Sequence, residues 1–353
     1  MWNPDQYLEK MYAETRPEFS FKACCKAEWE RWHEGLKKRF IEALGGFPDK
    51  AELDAQVLEE TCCDGYLRQR IELTTYPGLR MPMYVLIPSS GTMKPLPAVI
   101  ACHGHGYGSR ETVGLSPDGD SEAQPTYQRN FAIELVKRGF LVAVPELLGF
   151  GDRRLKAEST AEHGNSCYTI STYLLQFGYT MAGHRVYEVL RALDYLIGRP
   201  DVDCRRIGCM GISGGGLVAA FAAALDERIN AAVVSGYVNL FKESILAIHH
   251  CVDNYVPGLN RIAEMPDLVG LIAPRPLLVE AGLYDDIFPI EATRKAFEQI
   301  HNIYLLLGVE SKLAADFFPG EHRINGVKAY AWLTDWLSES IYYPCQSAIE
   351  LKS

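Results

Sequence analysis

The most telling part of the chain is a glycine-rich stretch near its middle, Arg206-Ile207-Gly208-Cys209-Met210-Gly211-Ile212-Ser213-Gly214-Gly215-Gly216-Leu217. An apolar run leads into Ser213 and small residues continue over 218–225, so the stretch predicts a strand, a sharp turn and a helix. Gly211 and Gly215 lack a Cβ atom, which lets the chain fold back tightly and expose the serine hydroxyl at the turn. The G-x-S-x-G pattern is weak on its own, and its place between a strand and a helix makes Ser213 a candidate nucleophile.

The composition is that of an ordinary globular protein, with 48% hydrophobic and 23% charged residues among 353. A net charge of −10 argues against a nucleic-acid partner, and the sequence has no run of about 18 apolar residues that would span a membrane. The N-terminus shows no basic start followed by an apolar segment, so no secretion signal is visible and we expect a cytoplasmic protein. The sequence leaves open whether the chain forms a homo-oligomer.

The ten cysteines are expected to be reduced thiols rather than a disulfide framework, because the chain is long and shows no secretion signal. No C-x-x-C motif occurs, and no Cys and His residues stand at zinc-binding spacings in the sequence. The spacing therefore predicts no metal site.

Residues 1–60 are predicted to form a helical extension that packs on a main domain over 61–345. Large apolar residues recur there at every third or fourth position, namely Trp29, Trp32, Leu36, Phe40 and Leu44. The Gly45-Gly46-Phe47-Pro48 segment that follows predicts the end of the helix.

The main domain alternates between strand and helix patterns. Two runs over 67–73 and 83–87, with a turn at 76–78, predict a hairpin. Further strands are predicted at 98–102, 141–144, 207–212, 231–234, 276–280 and 313–318. They alternate with helices predicted at 127–138, 184–197, 218–225, 291–307 and 326–340. Such alternation is typical of an α/β fold whose mostly parallel central sheet carries helices on both faces.

Two connections, about 146–183 and 236–272, are too long for simple turns. Both follow predicted strands, and the carboxyl ends of parallel strands are where ligands bind in open α/β sheets. We therefore treat these segments as insertions that border a candidate site.

A serine nucleophile needs a histidine as general base and an acid that orients the histidine. In folds of this type the acid and then the histidine follow the serine along the chain. Asp285 comes after a predicted strand and a glycine, and its neighbour Asp286 is the alternative acid. His322 stands between the last predicted strand and the last predicted helix, so we predict a triad of Ser213, Asp285 and His322.

The same chemistry needs two N–H donors for the oxyanion that forms when the serine attacks a carbonyl. One is predicted to be the amide of Gly214, directly after the nucleophile. The other is expected in the loop His103-Gly104-His105-Gly106, from the amide of His105. The loop lacks the G-x-G-x-x-G and G-x-x-x-x-G-K-[ST] patterns, which disfavours a nucleotide-binding loop.

The chain resembles the α/β-hydrolases, and among them the dienelactone-hydrolase-like and acetyl-xylan-esterase-like members. The resemblance covers about residues 60–340, and the N-terminal helical segment is also similar to that of acetyl-xylan-esterase-like members. The matching segments are 98–106, 192–196 with Arg199-Pro200, 206–216, Ala273-Pro274-Arg275-Pro276-Leu277-Leu278, Gly282-Leu283-Tyr284-Asp285 and His322.

The resemblance implies a serine triad that hydrolyses esters without a cofactor. Dienelactone hydrolases proper use a cysteine nucleophile, whereas position 213 is a serine, which favours carboxylic esters, acetyl and sugar esters among them. Tyr237, His249, His250 and Tyr255 in the second insertion are candidate contacts for a small-molecule ester substrate. Two alternatives stay open: a prolyl-oligopeptidase-type peptidase, although residues 1–60 are too few for a β-propeller, and a non-catalytic binding protein.

Overall fold

The apolar runs form one sheet in the computed structural model, which describes residues 2–89, 95–119, 123–160 and 164–338. In chain order its strands are β1 (Gln56–Cys63), β2 (Tyr66–Tyr76), β3 (Leu79–Pro88), β4 (Leu96–Cys102), β5 (Leu141–Pro145), β6 (Val202–Ile212), β7 (Ala231–Ser235), β8 (Leu277–Gly282) and β9 (Leu313–Phe318). Their spatial order is β1-β2-β3-β5-β4-β6-β7-β8-β9. Strands β1, β2, β3 and β5 pair antiparallel in that order, and all pairs from β5 to β9 are parallel.

Helices cover both faces of this sheet. They are α1 (Asp5–Glu14), α2 (Lys26–Ala43), α3 (Phe131–Val136), α4 (Cys167–Gln176), α5 (Met181–Ile197), α6 (Gly214–Leu225), α7 (Leu259–Ile262), α8 (Met265–Gly270), α9 (Ile290–Leu306) and α10 (Val327–Ser338). Residues of α2, α5, α6, α8 and α9 share the hydrophobic core on one side, and residues of α3 and α10 share the core on the other. The predicted α/β fold with a mostly parallel sheet is confirmed.

The N-terminal segment packs on the core through α2. Leu36 and Phe40 are fully buried, and the Phe40 ring meets the edge of the Phe221 ring of α6 with 4.7 Å between centroids. Helix α2 ends just before Gly45 and Gly46, as the sequence predicted, and both glycines have positive φ. The expectation of helix throughout residues 1–60 is met only by α1 and α2, and residues from Gln56 onward form β1. That strand pairs only with β2 at the sheet edge, and its residues are mostly exposed, so no apolar alternation marks it.

Helix α3 is also shorter than the predicted 127–138. Arg129 and Asn130 have positive φ, which is incompatible with a helix, so α3 begins only at Phe131. The two insertions contain short helices: α4 lies in the first, and α7 and α8 lie in the second. The ends of the predicted domain at 345 and of the closing helix at 340 lie outside the described residues.

The cysteines differ in state. Eight of the described ones carry free thiols. Cys204 is disulfide-bonded, so the expectation of reduced thiols throughout is wrong at this position. The sequence could not show it, because the pairing depends on which residues the fold brings together. None of the described helices is long and apolar enough to cross a membrane.

Candidate active site

Ser213 stands at the sharp turn between β6 and α6. Its φ of 57° and ψ of −126° are an uncommon conformation for a residue with a side chain. The turn depends on its glycines: a Cβ atom on Gly215 would lie 2.1 Å from the Cys102 carbonyl oxygen, and one on Gly211 would lie 2.2 Å from the Gly215 carbonyl oxygen. Both positions therefore have room for backbone atoms only, and a side chain at either would collide with a carbonyl oxygen. The order of strand, turn and helix agrees with the sequence prediction.

His322 and Asp285 form a hydrogen-bonded pair at the carboxyl ends of β9 and β8. The distance from His322 Nδ1 to Asp285 Oδ2 is 2.7 Å. Asp285 is buried, and its Oδ1 accepts the backbone N–H groups of Ile287 and Phe288 at 2.9 Å each. The carboxylate is therefore fixed from both sides, and it holds the imidazole with Nε2 pointing away from Asp285. Asp286 is exposed, and the structure pairs Asp285 with the histidine instead.

The Ser213 turn and His322 border the same backbone segment. The Ser213 N–H donates to the Ser235 carbonyl at 3.0 Å, and the next residue, Gly236, lies against the imidazole. A Cβ atom on Gly236 would come within 2.9 Å of His322 Cε1. The His322 Nε2 atom is buried and has no hydrogen-bond partner among the described residues, which leaves it free to accept a proton.

Tyr127 connects the serine, the histidine and the loop after β4. Its ring stacks on His322 with 5.7 Å between centroids, and its hydroxyl donates to the His105 carbonyl at 2.7 Å. Burial raises the pKa of Tyr127, and a hydrogen bond with Ser213 lowers it in part. The Tyr127 hydroxyl donates its one proton to the His105 carbonyl. In the hydrogen bond between Ser213 and Tyr127, the Ser213 hydroxyl is therefore the donor. Sequence analysis missed Tyr127, since nothing in its neighbourhood distinguishes it from other tyrosines.

The loop after β4 comes close to the start of α6. A Cβ atom on Gly214 would lie 2.8 Å from His105 Nδ1. Within the described ranges, the backbone N–H groups of Gly214 and His105 are not engaged in any hydrogen bond. The first turn of a helix also carries partial positive charge. This region can therefore stabilise a negatively charged oxygen.

His103 and Gln128 hold the same loop in place. The Gly104 N–H donates to Gln128 Oε1 at 2.8 Å, and the Leu147 N–H donates to His103 Nε2 at 3.1 Å. Burial lowers the pKa of His103 to about 4, so the ring is neutral at neutral pH and Nε2 can accept. His103 is thus a supporting residue of the loop.

The four predicted substrate contacts fall into two pairs. Tyr237 is buried with its ring 5.3 Å from that of Phe288, which in turn stacks on His322. His250 is half-buried and lies 5.6 Å from the same Phe288 ring, and burial and then the neighbouring His105 lower its pKa. In contrast, His249 is exposed. Tyr255 donates its hydroxyl to the Ile245 carbonyl within the insertion.

A polar cavity of about 400 Å³ opens beside the loop after β4. Tyr107, which is two residues beyond His105, lines it together with Arg110 and Arg154. Arg110 donates to Asp152 at 2.9 Å, so part of its charge is balanced. The lining is suited to a ligand with several hydroxyl or carbonyl groups.

Comparison with known proteins agrees with this architecture. The model of a family described as the Abhydrolase family matches residues 5–305. The chain is 32% identical over 277 residues to "Putative hydrolase YtaP" of Bacillus subtilis (strain 168), which covers 76% of this chain and 86% of YtaP.

Solved structures show the same fold at lower identity. A putative acetyl xylan esterase from Bacteroides fragilis NCTC 9343 superposes with a TM-score of 0.77 at 20% identity, over 90% of this chain and 83% of that one. A glucuronoyl esterase from Solibacter usitatus gives 0.66 at 15% identity, over 91% and 98% of the two chains. The resemblance to α/β-hydrolases expected from the sequence motifs is confirmed.

Proposed function

Since this chain belongs to the Abhydrolase family, we propose that it is a serine carboxylesterase with Ser213, His322 and Asp285 as its catalytic residues. The observation that carries the proposal is the buried Asp285–His322 hydrogen bond of 2.7 Å beside a serine held at positive φ. A nucleophile, a base and an orienting acid are the parts that acyl transfer through a serine requires. All three follow strands of the same parallel sheet.

The reaction begins when the Ser213 hydroxyl turns from Tyr127 toward His322 Nε2. His322 accepts the proton while Ser213 Oγ attacks the ester carbonyl carbon. The Gly214 and His105 amides then donate to the oxyanion of the tetrahedral intermediate. His322 returns the proton to the departing alkoxide, which leaves an acyl-enzyme on Ser213.

Water completes the cycle by the same route. His322 takes a proton from the water molecule, the resulting hydroxide attacks the acyl carbonyl, and the proton returns to Ser213 Oγ as the carboxylic acid leaves. Asp285 accepts hydrogen bonds from two backbone N–H groups and from the imidazole. Its negative charge stabilises the imidazolium in both halves of the reaction.

The substrate class we propose is an ester whose alcohol or acyl part is polar, such as an acetylated sugar. The polar cavity beside Tyr107 supports a ligand that forms hydrogen bonds. Of the proposed contacts, Tyr237 and His250 lie beside the Phe288 ring that stacks on His322. Structures with this fold include a putative acetyl xylan esterase and a glucuronoyl esterase, which is consistent with an ester of a carbohydrate.

Labelling with a fluorophosphonate tests the nucleophile directly. We expect one adduct, found by peptide mass spectrometry on the peptide that contains Ser213. Ser213→Ala should abolish both labelling and hydrolysis of p-nitrophenyl acetate with nearly unchanged thermal melting. Ser338→Ala, an exposed serine of α10, should behave as the wild type. Esterase activity that survives in Ser213→Ala would refute the proposal.

A substrate panel separates the esterase from a peptidase. We expect turnover of p-nitrophenyl esters and of acetylated xylo-oligosaccharides, and no turnover of peptide p-nitroanilides. Preference for the anilides would instead support a peptidase on the same fold.

A further inference from the structure

Four side chains with metal-binding atoms converge behind the loop after β4. They are His105, Cys167, Cys251 and Asp253, and their ligand atoms all lie within 4.8 Å of one another. We propose that this cluster binds one divalent cation of the zinc class. The proposal does not depend on the esterase function, because none of the four side chains belongs to the Ser213 triad.

The set of ligand atoms points to zinc rather than to a hard cation. Zn²⁺ binds thiolate sulfur, imidazole nitrogen and carboxylate oxygen, usually with four ligands in a tetrahedron. This cluster offers two sulfurs, one imidazole nitrogen and one carboxylate oxygen. With bonds of about 2.0–2.3 Å, tetrahedral ligand atoms lie roughly 3.3–3.8 Å apart. The widest pair here therefore needs to close by about 1 Å, which side-chain rotations can supply.

The His105 ring already offers a nitrogen to this space. Its Nε2 is buried and has no hydrogen bond of acceptable geometry within the described part of the chain. It lies 3.1 Å from Asp253 Oδ2, which is within ion-pair distance. Asp253 Oδ2 also pairs with Arg185, so a cation bound by both atoms would replace the contact between His105 and Asp253 and leave the arginine in place.

Neighbouring groups orient the other ligands. Asp253 Oδ1 accepts from Asn254 Nδ2 at 2.8 Å, which directs Oδ2 into the cluster. Cys167 is fully buried at the start of α4, where the Asn165 side chain accepts its N–H at 3.0 Å. Cys251 is partly exposed, so a cation can enter from its side. Fixed ligands of this kind are typical of structural metal sites.

Arg185 balances the charge of such a site. It is buried, ion-pairs with Asp253, and its Nη2 lies 3.1 Å from Cys167 Sγ and also donates to the Leu148 carbonyl. Two thiolates and a carboxylate around a divalent cation leave one net negative charge, and the guanidinium neutralises it. Hydrogen bonds from outside the coordination sphere to thiolate and carboxylate ligands are a usual feature of metal sites.

The sequence could not reveal this cluster, because its members are far apart in the chain. His105 follows β4, Cys167 lies in the first insertion, and Cys251 and Asp253 lie in the second. A bound cation would tie both insertions to the loop that carries His105. It would therefore stabilise the loops around the catalytic rim against local opening.

Cobalt titration of the reduced, chelator-treated full chain tests the proposal. We expect saturation at one equivalent of Co²⁺, with thiolate-to-metal charge-transfer absorption and the intense visible bands of a tetrahedral site. Added Zn²⁺ should abolish these bands and raise the melting temperature. Cys251→Ser and Cys167→Ser should each lower the charge-transfer intensity by about half, since each removes one of two thiolate ligands.

The chain offers a matched control in another thiol pair. Cys102 in β4 and Cys209 in β6 are fully buried, and their Sγ atoms lie 3.9 Å apart. Cys209→Ser should therefore bind Co²⁺ as the wild type does. Absence of saturable binding by the reduced wild type, or a wild-type spectrum from the Cys167→Ser/Cys251→Ser double variant, would refute the site. The Zn²⁺-dependent rise in melting temperature provides a second readout, and it should vanish in Cys251→Ser.

Discussion

At the scale of single residues, Asp285 and Asp286 are neighbours in sequence that differ in their exposure to solvent. Asp285 is 5% exposed and accepts from His322, whereas Asp286 is exposed. Asp285→Asn should lower kcat by about 10⁴-fold, because the amide can no longer hold the required tautomer of the imidazole. Asp286→Asn should leave steady-state kinetics of p-nitrophenyl acetate hydrolysis near the wild type. The reverse order of effects would assign the acid to Asp286.

The Tyr127 hydroxyl is a second residue-scale test. Tyr127→Phe removes the donor to the His105 carbonyl and the acceptor for Ser213, so the loop that supplies one oxyanion donor loses its support. We expect kcat to fall roughly 10- to 100-fold, equivalent to about 1–3 kcal/mol for a buried group left unpaired. Tyr304→Phe is the matched control, since its buried hydroxyl donates to the Arg275 carbonyl at 2.7 Å. It should cost stability and leave kcat unchanged.

His103 gives a prediction for pH. Its folded-state pKa of about 4, caused by burial, lies below its ordinary value of 6.5. The unfolded chain therefore binds more protons between these values, and stability must fall as pH drops through that window. Between pH 7 and pH 5, protonation of this histidine in the unfolded chain should lower the free energy of unfolding by about 2 kcal/mol.

The measurement is urea unfolding of the wild type and of His103→Gln at both pH values. The glutamine amide oxygen can still accept from the Leu147 N–H without taking up a proton. The loss of stability on acidification should then be smaller by about 2 kcal/mol in the variant. Equal losses in both proteins would show that His103 is not the titrating group.

At the scale of elements, the β6–α6 turn packs so closely against β4 that it has no room for a side chain at position 215. Gly215→Ala places a methyl group 2.1 Å from the Cys102 carbonyl, so β4 or α6 has to move. We expect a loss of roughly 3 kcal/mol or more in unfolding free energy, together with loss of activity. Gly198→Ala, at the end of α5 with φ −74° and ordinary contacts, should unfold as the wild type. A stable, active Gly215→Ala variant would contradict this account of the turn.

Elements buried on both sides were predictable from sequence, and elements at the edges were not. β4 and β7 are continuous apolar runs, because helices cover both faces of a parallel sheet. β1 pairs on one side only and exposes most of its residues, so it carries no such signal. The early stop of the predicted 127–138 helix reflects two residues with positive φ, a property that side-chain periodicity does not encode.

At the scale of the whole molecule, the N-terminal segment and the sheet share one core. Phe40 of α2 is fully buried against Phe221 of α6, so Phe40→Ala should lower the unfolding free energy by about 3–5 kcal/mol. Leu8→Ala in α1, where the side chain is 50% exposed, should change it by less than about 0.5 kcal/mol. Both variants are measured by chemical denaturation. A separate early transition in Phe40→Ala would show that the segment unfolds independently.

The candidate triad was predictable because each member follows a strand of the same sheet. Ser213 comes directly after β6, Asp285 after β8 and His322 after β9, so the parallel order of these strands places all three at one rim. Tyr127 and the cluster around Asp253 depend on how long loops fold back over that rim. Their contacts span large sequence separations with no periodic pattern, and only coordinates reveal them.

Because the imidazole comes from the loop beyond the last strand of the sheet, a ribosome must add residue 322 before the site has its base. A nascent or prematurely released polypeptide that already contains Ser213 would also lack β9, the neighbour that β8 pairs with. Hydrolysis that depends on His322 would then be absent from every translation product that stops before residue 322.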